Sequence, residues 1–98
     1  MTIDRGLLAI LEVQAGKGEE MAAFLEKARA MAAAEEGTVT WYAFRLGETT
    51  YGIFDTFADE DARQAHLSGQ IPAALGQVGH RILAADPDIR QVDVVAVK

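Results

Sequence analysis

The chain has no cysteine. That removes disulfides, thiolate nucleophiles and cysteine-based metal sites together. Its two histidines, His66 and His80, stand far apart and form no metal-ligand spacing. Positive charge is scarce: nine Lys and Arg against fifteen Asp and Glu leave a net charge of −6. Phosphate binding needs clustered Lys and Arg, so nucleic acid is excluded as a partner, and an anionic membrane surface with it. Long hydrophobic runs are also missing. The longest, residues 7–11, is far too short to span a bilayer. The opening Met-Thr-Ile-Asp-Arg-Gly lacks signal-peptide character, so a cytoplasmic location is expected. The glycine-rich Ala15-Gly16-Lys17-Gly18 reads as a turn, because no Walker or dinucleotide pattern follows it. No metal and no organic cofactor is therefore expected.

What remains is an apolar chain of 98 residues, half of them hydrophobic. This is enough for one domain, residues 1–98, with a modest core. So much apolar sequence in so short a chain also suggests burial against a partner subunit. Residues 6–14 predict a first strand. Leu7, Ala9, Leu11 and Val13 form one apolar face, and Leu8 and Ile10 make the other apolar as well, which predicts cover on both sides. Residues 19–35 predict a helix with Met21, Phe24, Leu25, Ala28, Met31 and Ala32 on its buried stripe, ended by Gly37. Glu35 and Glu36 are expected in solvent.

Residues 38–46 and 49–57 predict two strands joined around Gly47-Glu48. An even-numbered loop would place Trp41 and Ala43 on a face with Gly52 and Phe54, and Tyr42 and Phe44 with Tyr51, Ile53 and Asp55; an odd loop would reverse this. Asp59 then caps a helix whose first turn carries Glu60 and Asp61. Ala62, Ala65, His66 and Gly69 recur at helical spacing, which turns the imidazole inward. Ser68-Gly69 breaks that helix. Pro72 suits the first turn of the next one, whose stripe is Ile71, Leu75, Val78 and Ile82. Asp86-Pro87-Asp88 ends it, and residues 89–97 predict the last strand, with Val92, Val94 and Val95 at its centre. The order is α+β, a ferredoxin-like βαββαβ arrangement: an antiparallel sheet with helices on one face.

The stretch from Asp55 through Phe57 and Asp59-Glu60 to Ala65-His66 resembles the antibiotic biosynthesis monooxygenase family. That family's pattern is a strand ending in an acid, a spacer and an aromatic, then an acidic turn and a helix with Ala-His. The resemblance implies a homodimer in which two sheets close on each other as a dimeric α/β barrel. It also implies an oxygenase that needs no cofactor. His66 is the best candidate base, with a hydrogen-bonded histidine at the helix–sheet seam as the alternative. Tyr51 adds a hydroxyl, and Asp55 could orient the imidazole, pair with an arginine or pair across a dimer. Trp41, Tyr42 and Phe54 are the aromatic side chains expected to hold a substrate. His80 and Arg45 are expected on the surface.

One departure bears on the chemistry. Pocket residues in the family's anthrone oxygenases include Asn, Trp, Tyr and Arg, and its haem-degrading relatives use Asn, Trp and His. This chain has no asparagine, which disfavours the haem reading. Three functions stay open: a cofactor-independent monooxygenase acting with O2 on a small aromatic or polyketide-type substrate; a non-catalytic barrel that binds a small hydrophobic ligand or serves a stress-related role; and an isomerase or cyclase on the same scaffold.

Overall fold

The structure is a computed structural model that describes residues 3–98. Met1 and Thr2, the start of the segment read for a leader, lie outside the described residues. The elements are β1 (Arg5–Glu12), α1 (Gly18–Ala33), β2 (Thr38–Arg45), β3 (Thr50–Phe57), α2 (Glu60–Leu67), α3 (Gln70–Ile82) and β4 (Asp88–Asp93). All strand pairs are antiparallel, in the order β2-β3-β1-β4. This is the expected ferredoxin-like sheet, with the second crossover built from two helices. No helix among the described residues is long and apolar enough to cross a membrane.

Each sheet face follows from the period-two alternation of its strands. Leu7, Leu11, Tyr51, Ile53 and Asp55 are buried on the helix side. Met21, Leu25, Ala28 and Ala32 of α1 pack there, as do Ile71, Leu75 and Ile82 of α3. Leu8, Ile10, Phe44 and Phe54 lie on the opposite face, half-buried beneath no helix. The central strands are thus apolar on both sides, as residues 6–14 predict. The first turn closes on Gly16, whose φ of 82° is a left-handed conformation suited to glycine.

Five expectations change. The first helix ends at Ala33, capped by Ala34, several residues before Gly37. Gly37 instead sits against α2, where an added Cβ would collide with that of Ala62. Replacing Gly37 by Ala should cost about 1–3 kcal/mol through this overpacking. Urea denaturation should show the loss, and adding Ala62→Gly should recover most of it. Glu35 is not in solvent but turned inward, while Glu36 is exposed. In α2 it is Arg63, not Ala65, that joins His66 in the interior. The guanidinium pairs with Glu60 and donates to the carbonyls of Gly6 at 3.3 Å and Val92 at 3.4 Å. The last strand stops at Asp93, opposite Arg5 at the start of β1, and a single further bond runs from Val94 N–H to the Asp4 carbonyl at 3.0 Å. Val95 and Val97 are left exposed. Finally, Arg45 pairs with Tyr51, and Leu46 N–H donates to the Thr50 carbonyl, leaving an odd loop of residues 47–49. Trp41 and Ala43 therefore share the helix side with Tyr51, Ile53 and Asp55.

Candidate functional site

The β3–α2 connection builds the site. β3 delivers Asp55 to the helix side and ends on Phe57, which is fully buried. Asp59 then accepts a hydrogen bond from Ala62 N–H at 2.8 Å and starts α2. Two turns later His66 comes back over the strand. Its ring lies 5.1 Å from that of Phe57, tilted by 48°.

The imidazole is held between two carboxylates. Nδ1 donates to Glu35 Oε1 at 2.7 Å, and Thr38 Oγ1 donates to the same oxygen at 2.6 Å. Nε2 faces Asp55 Oδ2 at 3.2 Å. The distance is short, but the alignment is not that of a hydrogen bond, and Oδ2 remains buried without a partner. Burial out of water pushes the Asp55 carboxyl up to about 6; the His66 imidazole pulls it down and the Glu35 carboxylate pushes it up. A carboxyl of this kind is part ionised at neutral pH and can take or give a proton there. The two carboxylates flank opposite edges of one ring, so they do not converge on a point where a metal ion could sit.

Asp55 and His66 line a small pocket of about 40 Å3. Its other walls are apolar, among them Leu7, Ala9 and Ile53 of the sheet and Leu67, Ile71 and Leu75 of the helices. Outside it, between α3 and β4, lies a groove of about 510 Å3 that shares Pro72, Leu75 and Ile89 with the pocket.

The residues singled out in the sequence do not all meet here. His66 and Asp55 do. Trp41 stands beside Asp55 across the β2–β3 ladder. With Tyr51, and with Tyr42 at the edge of the sheet, it lines a separate groove of about 530 Å3 between α1 and the hairpin. The Arg45 guanidinium lies 5.7 Å from the Tyr51 ring centre in that groove, and the Tyr51 hydroxyl packs over Gly18. No residue lining this groove also lines the small pocket beside Asp55. Tyr42 and Phe54 point to the opposite face of the sheet and are paired with each other there, so they cannot join a pocket with His66 in one chain. Arg45 and His80 are exposed, as expected.

Sequence reasoning missed Glu35. The apparent end of the first helix ran through it, and nothing local marks a glutamate that turns back toward a helix thirty-odd residues on. The Glu35–Thr38 spacing across a turn, facing a lone inward histidine, was the available signal.

The antiparallel β2-β3-β1-β4 sheet with its helices on one face defines a ferredoxin-like α+β protein, similar to solved structures that include antibiotic biosynthesis monooxygenase candidates. A protein of unknown function from Nitrosomonas europaea is 43% identical, with a TM-score of 0.95 over 98% of this chain and 93% of that one. A candidate antibiotic biosynthesis monooxygenase from Caulobacter crescentus is 27% identical, with a TM-score of 0.81 over 96% of this chain and 92% of that one. SnoaB of Streptomyces nogalater, a cofactor-independent oxygenase, is 12% identical and shares the fold, with a TM-score of 0.80 over 98% and 97%. No family model matches the chain, and no curated protein does.

Proposed function

We propose that the protein is a cofactor-independent monooxygenase that oxidises a small phenolic or polyketide-type aromatic, with Asp55 as proton acceptor and His66 and Glu35 as positioning residues. The observation that carries this is the buried Asp55 carboxyl, which faces the His66 imidazole at 3.2 Å beside an apolar pocket that both residues line. The role differs from that expected of His66. Both imidazole nitrogens already face carboxylates, whereas the Asp55 carboxyl, pushed up to about 6 by burial, can take a proton near neutral pH.

In this scheme the phenol O–H proton passes to Asp55. The electron pair is delivered from a ring carbon to O2, forming a carbon–oxygen bond, and the peroxide takes the proton back from Asp55. Loss of water across the ring C–H and the O–OH bond then gives a quinone. One oxygen atom enters the product and the other leaves in water. The apolar walls keep bulk water from the anion.

Likeness to the Caulobacter crescentus protein supports this reading, as does the cofactor-independent oxygenase on the same fold. The test is oxygen uptake with a panel of phenols, naphthols and anthrones. At least one should consume O2 well above the protein-free rate, with one labelled oxygen atom incorporated. Uptake at the background rate across the panel would refute the proposal.

The working unit in this reading is a homodimer closed through the open sheet faces. Leu8, Ile10, Phe44 and Phe54 supply its apolar side. Ile10→Glu should split the dimer or unfold the chain, because an unpaired buried carboxylate costs several kcal/mol. Sedimentation of the wild type as a stable monomer at micromolar concentration would remove the dimer.

A further inference from the structure

We infer that His66 and Glu35 form a proton path between the buried Asp55 carboxyl and solvent, with the imidazole as the link between two pockets. The path serves whatever reaction Asp55 takes part in, so it does not depend on an oxygenase activity.

Burial sets the problem. Asp55 Oδ2 is sealed from solvent, and the group it faces is His66 Nε2 at 3.2 Å. That is within reach of proton transfer once the carboxyl turns into line. On the other edge of the ring, Nδ1 meets Glu35 Oε1 at 2.7 Å. Exposure rises along this series, from 2% for the Asp55 side chain through 8% for His66 to 23% for Glu35. The pockets follow the same order. Asp55 and His66 line the pocket of about 40 Å3. A second pocket, of about 210 Å3 at the α1–β2 turn, is lined by Glu35, Glu36, Thr38 and His66 among others. Among the described residues, His66 is the one member common to both. The imidazole is thus a shared wall with a nitrogen on each side. Thr38 Oγ1, donating to Glu35 Oε1 at 2.6 Å, keeps the carboxylate on the ring.

The transfer balances. Protonated Asp55 gives its proton to Nε2, and Nδ1 gives its own to Glu35 Oε1, which releases it to water in the second pocket. One proton leaves Asp55 and one reaches solvent, and the ring stays neutral with its proton now on Nε2. Loading Asp55 runs the same steps backwards and restores the starting tautomer. The other elements around Asp55 offer no substitute. They bring Leu7 and Ala9 of β1, Trp41 of β2, Ile71 and Leu75 of α3 and Ile89 of β4, none of which titrates. Arg63 of α2 is engaged by Glu60 and by the carbonyls of Gly6 and Val92.

The experiment follows the carboxyl-carbon resonance of Asp55 through its titration at about 6. In the wild type, exchange along the path should be fast, giving one averaged line that moves with pH. Glu35→Gln still accepts from Nδ1 but cannot pass a proton on, and His66→Gln removes the ring. In either variant Asp55 exchanges only when the structure opens, a much slower event. The line should then split into an ionised and a protonated form whose intensities trade with pH. The midpoint should fall in Glu35→Gln, whose lost charge pushed it up, and rise in His66→Gln, so the splitting and not the midpoint is the readout. Glu36→Gln lines the same second pocket but bonds to neither ring nitrogen, and should keep the single moving line. Two lines in the wild type or in Glu36→Gln, or one averaged line in Glu35→Gln or in a folded His66→Gln, would each overturn the path. If His66→Gln does not fold, Glu35→Gln decides. Oxygen uptake plays no part in this readout, so the path and the oxygenase reading stand or fall separately.

Discussion

Asp55→Asn should lower turnover by about a hundredfold to ten-thousandfold, the range for loss of a general base, while making the protein more stable at neutral pH. Both effects have one cause. The Asp55 carboxyl is held near 6 in the folded protein, against 3.8 for a free side chain, chiefly because burial penalises its charged form. The folded state thus binds this proton more tightly than the unfolded state does. The stability it contributes is complete below about 3.8, drains away as pH rises, and is gone above about 6. At about 1.4 kcal/mol for each unit of pKa, the loss amounts to about 3 kcal/mol. Asparagine has no charge to bury and escapes it. Urea denaturation of both proteins at pH 4 and pH 7.5 should show the variant gaining on the wild type by about that amount at the higher pH. An unchanged difference between the two pH values would mean that Asp55 is ionised throughout, and its role as a neutral-pH proton acceptor would go with it.

Phe57→Ala should cost about 3–5 kcal/mol, the usual price of truncating a buried phenylalanine. Phe57 is fully buried and packs against the His66 ring at 5.1 Å. Its loss leaves a void beside the imidazole, so the ring should also lose its fixed orientation between Glu35 and Asp55. Calorimetric unfolding gives the first effect, and the ring proton resonances of His66 give the second. Phe57→Leu fills most of the void and should fall between the wild type and Phe57→Ala on both. A Phe57→Ala protein with wild-type stability would contradict the packing described here.

The fold was legible because its signals are local. The two-sided apolar pattern of Leu7 to Leu11 marked a central strand, and the Met21–Ala32 stripe marked a helix lying on it. Asp59 announced the start of α2 through its capping side chain. The errors came where distant contacts decide. The last strand was drawn too long because Val94, Val95 and Val97 have strand propensity, but β1 pairs with β4 only as far as Asp93, and after the Val94 N–H bond to the Asp4 carbonyl Val95 and Val97 stand exposed. The burial of Arg63 has no local signal, because charge is usually exposed; two backbone carbonyls and Glu60 make it tolerable. At the site, Asp55 and His66 could be paired from the strand-to-helix geometry. Glu35 could not, since it arrives from the other side of the molecule. Trp41, Tyr42 and Phe54 were grouped by chemical type, and the ladder separates them by face.

The odd loop of the β2–β3 hairpin constrains how this chain can change over generations. One residue inserted or deleted within residues 47–49 and absorbed by slipping β2 would reverse every side chain on that strand. Tyr42 would then meet Asp55's face, and Trp41 would be delivered to the open one. Two residues at once would preserve both. Length variation at this loop among descendants of the same ancestor should therefore come in pairs, or be accompanied by a compensating slip elsewhere in the edge strand. The bulge between Thr38 and Thr40 is a place where such a slip can be absorbed.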